Sequence, residues 1–147
     1  MSQYEMYRKK YLDDKVLRFL DGESIAGDKT CYLSYIRSGN TFLRKYLELI
    51  TGVTTGSEMP ISTMPLNLLG MIGEQVADDT VWVVKSHYPM RVNCLDYKVN
   101  KFIVCVRNPF DVILSTINFF NTMTHGKELV NNAPVEEPDM FDYCVRF

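Results

Sequence analysis

No stretch of the 147-residue chain approaches the roughly 20 apolar residues that a membrane span requires. The N-terminal MSQYEMYRKKYLDD also lacks the apolar centre of a signal peptide, so the expected location is cytoplasmic, with no membrane partner. Paired-cysteine spacing is missing: Cys31, Cys94, Cys105 and Cys144 stand far apart, and free thiols are expected rather than disulfides or a metal centre. Positive charge is not in excess. The formal net charge of −2 argues against broad nucleic-acid binding, which leaves a basic footprint. Any polyanion must be met by a few focused charges, for which Arg37, Arg44, Lys45, Lys85 and Arg107 are the candidates. Internal repeats and low-complexity tracts are absent as well.

The composition is that of a globular chain, 46% hydrophobic and 23% charged, and its length suits one domain. The stretch TCYLSYIRSGNTFLR organises it. Residues 31–35 read as an apolar strand, 36–40 as a compact loop, and the following helix carries Phe42, Leu43, Tyr46, Leu47 and Ile50 at helical spacing. A strand passing through Ser-Gly into a helix makes an anion site, because the first helical turn has unpaired N–H groups and Gly39 lets a phosphate approach the backbone. Arg37 adds a full charge. A plain turn is the other reading of these residues.

The chain before this stretch, residues 3–20, has an amphipathic helical pattern, with Arg8-Lys9-Lys10 read as a solvated face. After the helix, Gly52 is placed as its C-terminal cap and opens a long loop; a short helix is predicted over 66–76. Residues 81–84, Val-Trp-Val-Val, predict a strand covered on both faces of a parallel sheet. It leads into Lys85-Ser86-His87, where alternation places Lys85 and His87 on one side. Such a pair suits catalysis, whereas singly His87 reads as a structural residue and Lys85 as a snorkelling one. Residues 101–106 predict a third strand of the same buried character, ending at Arg107-Asn108-Pro109. Asn108 is a suitable N-cap and Pro109 a suitable first residue for a helix to about 122, burying Phe110, Ile113, Leu114, Ile117 and Phe120. Ser115 follows Asn108 by about two turns, so Arg107 and Ser115 either clasp one anion or pair locally, Arg107 with Asp111 and Ser115 within its helix.

These three segments together resemble the sulfotransferases that use the donor PAPS (3′-phosphoadenosine 5′-phosphosulfate). Tyr35-Ile36-Arg37-Ser38-Gly39-Asn40-Thr41-Phe42 is similar to the family's 5′-phosphosulfate loop, Lys85-Ser86-His87 to its K-[ST]-H motif, and Arg107-Asn108-Pro109-Phe110-Asp111-Val112 with Ser115 to its 3′-phosphate motif. Ile36 stands where the family commonly has Pro, and Phe42 where it commonly has Trp. The match runs from about residue 30 to 120, the front half of a usual member.

The resemblance implies an α/β, three-layer P-loop-like fold, with a parallel sheet of about three strands and helices on both faces. It implies PAPS as donor substrate, PAP as product and no metal. Ser38, Gly39, Asn40 and Thr41 would hold the 5′-phosphate, with Phe42 near the adenine; Arg107 and Ser115 would hold the 3′-phosphate. His87 would be the general base, with Lys85 and Arg37 stabilising the migrating sulfonate. The acceptor would be a hydroxyl or amine on a small molecule or glycan, and the Golgi lumen becomes an alternative location. A non-catalytic nucleotide-binding or structural subunit is the alternative function. A P-loop phosphoryl transferase is disfavoured, since no GxxxxGK[ST] loop is present. Residues 136–147 carry a helical apolar pattern that is still running at Phe147, so residues 1–147 are expected to be a single, C-terminally truncated domain. A thin sheet with open edges favours a second copy or a partner chain that completes it.

Overall fold

The structure, a computed structural model, describes residues 6, 9, 17–22, 28–59, 70–89 and 94–122. Its elements in chain order are β1 (Thr30–Tyr35), α1 (Asn40–Thr51), β2 (Gly56–Ser57), β3 (Val83–Tyr88), β4 (Lys101–Cys105) and α2 (Pro109–Thr122). The strands form one parallel sheet in the order β2-β3-β1-β4, which makes the chain an α/β protein. The predicted helix over 3–20 and the helical pattern at 136–147 lie wholly or largely outside the described residues. No helix among the described residues is long and apolar enough to cross a membrane.

One strand more is present than the sequence suggests. β2 has no apolar run to announce it; Gly56 and Ser57 pair with Val84 and Lys85 because the chain there is pressed against its neighbours. A Cβ on Gly56 would collide with the Val76 carbonyl oxygen and lie 2.7 Å from Val81 Cγ2. β3 also differs from expectation, starting at Val83 and continuing to Tyr88. Its partner β1 offers six positions, from Thr30 opposite Val83 to Tyr35 opposite Tyr88, and the ladder uses all of them. Lys85 and His87 are therefore ladder residues. The helix predicted over 66–76 is not formed in its described part, where residues 72–75 are turns. Gly70 and Gln75 both adopt positive φ, 76° and 67°, which a helix does not accommodate.

The core lies around β3. Ala77, Val81 and Val84 pack together, with Phe19, Val76, Leu95 and Tyr97 against them, and each fully buried valine contributes about 1.5–3 kcal/mol. Away from this core the expected burial is reversed. β4 is expected to be covered on both faces, yet Phe102 and Val104 are 62% and 61% exposed, and β4 lies at the edge of the described sheet. α1 buries Asn40, Arg44 and Glu48, and leaves Phe42, Leu43, Tyr46, Leu49 and Ile50 outside. In α2 the buried residues are Val112, Thr116 and Ile117, while Phe110 and Leu114 are exposed and Ile113 is half-buried. The Phe120 side chain lies outside the described residues.

Helix punctuation agrees with the sequence reading. Phe110 N–H donates to Asn108 Oδ1 at 3.0 Å, as an N-cap should. Gly52 closes α1 in a left-handed conformation, φ 67°, with its N–H on Glu48 O at 2.8 Å.

Candidate functional site

The chain leaves β1 towards β2 on one side and leaves β3 towards β4 on the other. The carboxyl ends of β1 and β3 thus flank a topological switch point, where open α/β sheets hold their ligands. The loop after β1 and the Lys85-Ser86-His87 segment of β3 meet here. Within that loop Arg37 has φ 63° and Gly39 φ 97°. The left-handed glycine turns the chain directly into α1, so that Leu43 N–H already reaches Gly39 O at 3.1 Å. Ser38 and Asn40 are buried, whereas Phe42 is exposed and forms a tilted pair with Tyr46, centroids 4.7 Å apart.

His87 pairs in register with Ser34, and its Nδ1 lies 3.2 Å from Ser34 O and 3.3 Å from Ser34 Oγ. Asn40 Nδ2 in turn donates to Ser34 Oγ at 2.9 Å. Burial lowers the His87 imidazole to about 4, assisted by the nearby Lys85 and Arg44 charges and opposed by the Ser34 carbonyl and Glu74. The imidazole is neutral at pH 7. It can take a proton and has none to give as an imidazolium, whereas the sequence alone suggests an ordinary value near 6.5.

Beneath His87 lies a sealed ionic network. Arg44 donates to Glu74 Oε1 at 2.6 Å, to Thr55 Oγ1 at 3.0 Å and to Thr55 O at 3.1 Å. Glu48 Oε1 accepts from Thr55 N–H and Oγ, at 3.0 and 2.9 Å, and Ser86 Oγ donates to Glu58 Oε1 at 2.6 Å. Arg44, Glu48, Glu58 and Glu74 are at most 1% exposed. Burial pushes the Glu74 carboxyl up, but Arg44, Lys85 and its hydrogen bonds outweigh this and hold it below the usual range. Lys85 is buried as well; desolvation and Arg44 lower its ammonium, against the pull of Glu74 and Glu58. Arg44, a candidate anion contact by sequence, is thereby committed to the interior. Lys45 bonds Gly70 O at 3.3 Å and pairs with Glu48 at 3.5 Å.

A second group of polar side chains gathers on the α2 side. Arg37 Nε donates to Ser115 Oγ at 3.1 Å, its guanidinium lies 5.2 Å from the centre of the Phe119 ring, and Arg107 Nη1 donates to Arg37 O at 3.2 Å. Arg37 thus bonds Ser115, and Arg107 braces the loop that carries Arg37. Burial lowers the Arg37 pKa, and the like charge of Arg107 adds to the effect. An anion between them would relieve both costs.

A cavity of about 470 Å³ opens beside these groups, with Leu33, Val104, Val112 and Ile113 as apolar wall and Ser34 and Arg107 as polar contributors. Ser34, Glu58 and Glu74 are among the residues of the site that escape sequence reading. No local signal marks them, since a serine inside a strand and lone glutamates in loops acquire their roles only from what faces them. Cys31, Cys94 and Cys105 form no disulfide, and no group of three or more metal-capable side chains occurs among the described residues. Comparison with protein-family models, with curated proteins and with solved structures gives no match.

Proposed function

We propose that the chain is a sulfotransferase domain of P-loop-like fold that moves a sulfonate group from PAPS to a hydroxyl or amine. The observation that carries this reading is the convergence of Arg37 with Arg107 and Ser115, from two segments far apart in the chain, beside a glycine-turned helix start. Two adjacent guanidiniums and a hydroxyl suit a phosphate: guanidinium forks give charge-assisted bonds, and the helix N-terminus favours negative charge. Phe42 and Tyr46, exposed at the start of α1, offer a surface for a flat heterocycle.

PAPS supplies the activated sulfonate. The chain's residues hold its phosphates, with Ser38, Gly39, Asn40 and Thr41 at the 5′ end and Arg107, Arg37 and Ser115 at the 3′ end. As the acceptor oxygen or nitrogen bonds sulfur, its proton passes to His87, and the broken S–O bond leaves its electron pair on the 5′-phosphate. Lys85, whose charge is felt at His87, supplies positive potential as that charge develops. The cavity beside Ser34 offers room for an acceptor, a small molecule or the end of a glycan.

A second reading, a nucleotide-binding subunit without turnover, is favoured by Lys85 being 6% exposed within an ionic network. Calorimetric titration with 3′,5′-ADP and with 5′-ADP tests the donor site. Preference for the 3′-phosphate, lost in Arg107→Ala, is expected; equal affinity for both nucleotides, or binding of neither by the folded chain, rejects the sulfotransferase reading. Sulfonate transfer from PAPS to an acceptor then separates the enzyme from the silent subunit.

A further inference from the structure

We propose that Ser34 is the positioning residue of His87, directing the imidazole proton to Nδ1 and leaving Nε2 as the basic nitrogen, with Asn40 holding the Ser34 hydroxyl in place. A carbonyl oxygen can only accept. The 3.2 Å approach of His87 Nδ1 to Ser34 O therefore requires the proton on Nδ1. Ser34 Oγ, 3.3 Å away, is the second group facing that nitrogen, and a hydroxyl is ambiguous because it can donate as well as accept. If it donated to Nδ1, the proton would move to Nε2 and the free lone pair would be lost to the interior.

Asn40 holds that hydroxyl but leaves its proton and its second lone pair available, so it is the carbonyl that decides the tautomer. The Asn40 amide engages Ser34 Oγ at 2.9 Å, and its Oδ1 is buried with no hydrogen-bond partner. Both Asn40 and Ser34 are at least nine-tenths buried, so water does not compete freely for the hydroxyl. Register makes the contact possible: Ser34 and His87 are direct partners on adjacent parallel strands, and their side chains share one face of the sheet. Asn40 is the first residue of α1, so the same amide ties the anion loop to the imidazole. The charged groups around His87 are Lys85, Arg44 and Glu74, none of which touches Nδ1 as an acceptor.

The catalytic meaning of this arrangement rests on His87 being the proton acceptor proposed above, but its geometry is testable without donor or acceptor. Long-range proton–nitrogen NMR correlation on ¹⁵N-histidine-labelled protein reads the tautomer directly, and only two histidines need assignment. The neutral Nδ1–H form is expected for His87 in the native chain and in Ser34→Thr, which keeps the hydroxyl. Ser34→Ala and Asn40→Ala keep the carbonyl of residue 34, so the ratio of the Nε2–H to the Nδ1–H form should stay within about twofold of the native value. A native His87 found as Nε2–H, or a shift towards Nε2–H of about fivefold or more in Ser34→Ala, overturns the proposal. Should one alanine variant fail to fold, the native tautomer and the other variant still decide. Absence of 3′,5′-ADP binding alongside the expected tautomers would reject the sulfotransferase reading and leave the positioning role standing.

Discussion

The two sides of β1 are built on opposite principles. Towards β3, the chain seals Arg44, Glu48, Glu58, Glu74 and Lys85 inside, each with named partners of opposite charge or complementary hydrogen bonding. Towards β4, it leaves Phe102, Val104, Phe110 and Leu114 in the open. Hydrophobicity alone decides neither side. A charge can be buried when its partners are preassembled, as Thr55 serves both Arg44 and Glu48, and an apolar side chain stays exposed where no described element lies over it. The sealed side holds the imidazole in a fixed electrostatic setting, while the open side carries the two arginines that a mobile anion could reach.

Glu74→Ala should break this contrast most severely. It leaves the Arg44 guanidinium buried without its carboxylate, at a cost of about 3–5 kcal/mol measured by urea unfolding. A loss below about 1 kcal/mol would mean that the network is not closed as described.

The pH dependence of stability sharpens the contrast next. His87 binds a proton in the unfolded chain below its ordinary value near 6.5, but in the folded chain only below about 4. Between those values the unfolded state holds more protons, so stability falls as pH drops from about 6.5 to about 4, by up to about 3 kcal/mol. His87→Gln should flatten the melting temperature across that window. The Glu74 carboxylate, held low, adds its own loss only below about 4.3, where the unfolded group protonates. An unchanged profile in His87→Gln would place the titration elsewhere.

On the open side the effects should be on binding rather than on folding. Arg107→Ala is expected to weaken 3′,5′-ADP by about tenfold or more, the value of a charge-assisted hydrogen bond, with the midpoint of unfolding little changed. Leu114→Ala, smallest of all, should cost less than about 0.5 kcal/mol, since its side chain is already 64% exposed. A cost of several kcal/mol there would show that this face is covered in solution.

The strands β1 and β4, both helices and their caps follow from local chemistry and could be read along the chain. Asn108 caps whatever helix begins at Pro109, and Gly52 stops whatever helix precedes it, because the groups they satisfy lie within one turn. The loop after β1 and the Lys85-Ser86-His87 segment stand out along the chain as well. Their mutual geometry does not: Arg37 meets Ser115 across 78 residues, and His87 meets Ser34 across 53. β2 was missed for a related reason, since two residues carry no periodicity.

By itself the sequence determined β1, β4, the two helices and the caps at Gly52 and Asn108, for these depend on neighbours within a few positions. Tertiary structure alone decided the strand order, the face that each helix turns inward, and the neutral state of His87. Those depend on which distant groups exclude water and which charges they bring, and periodicity marks a helical face without saying what will lie against it. On α1 that face received Glu74 and Thr55, and so the helix turned its arginine and glutamate inward and its aromatic residues out.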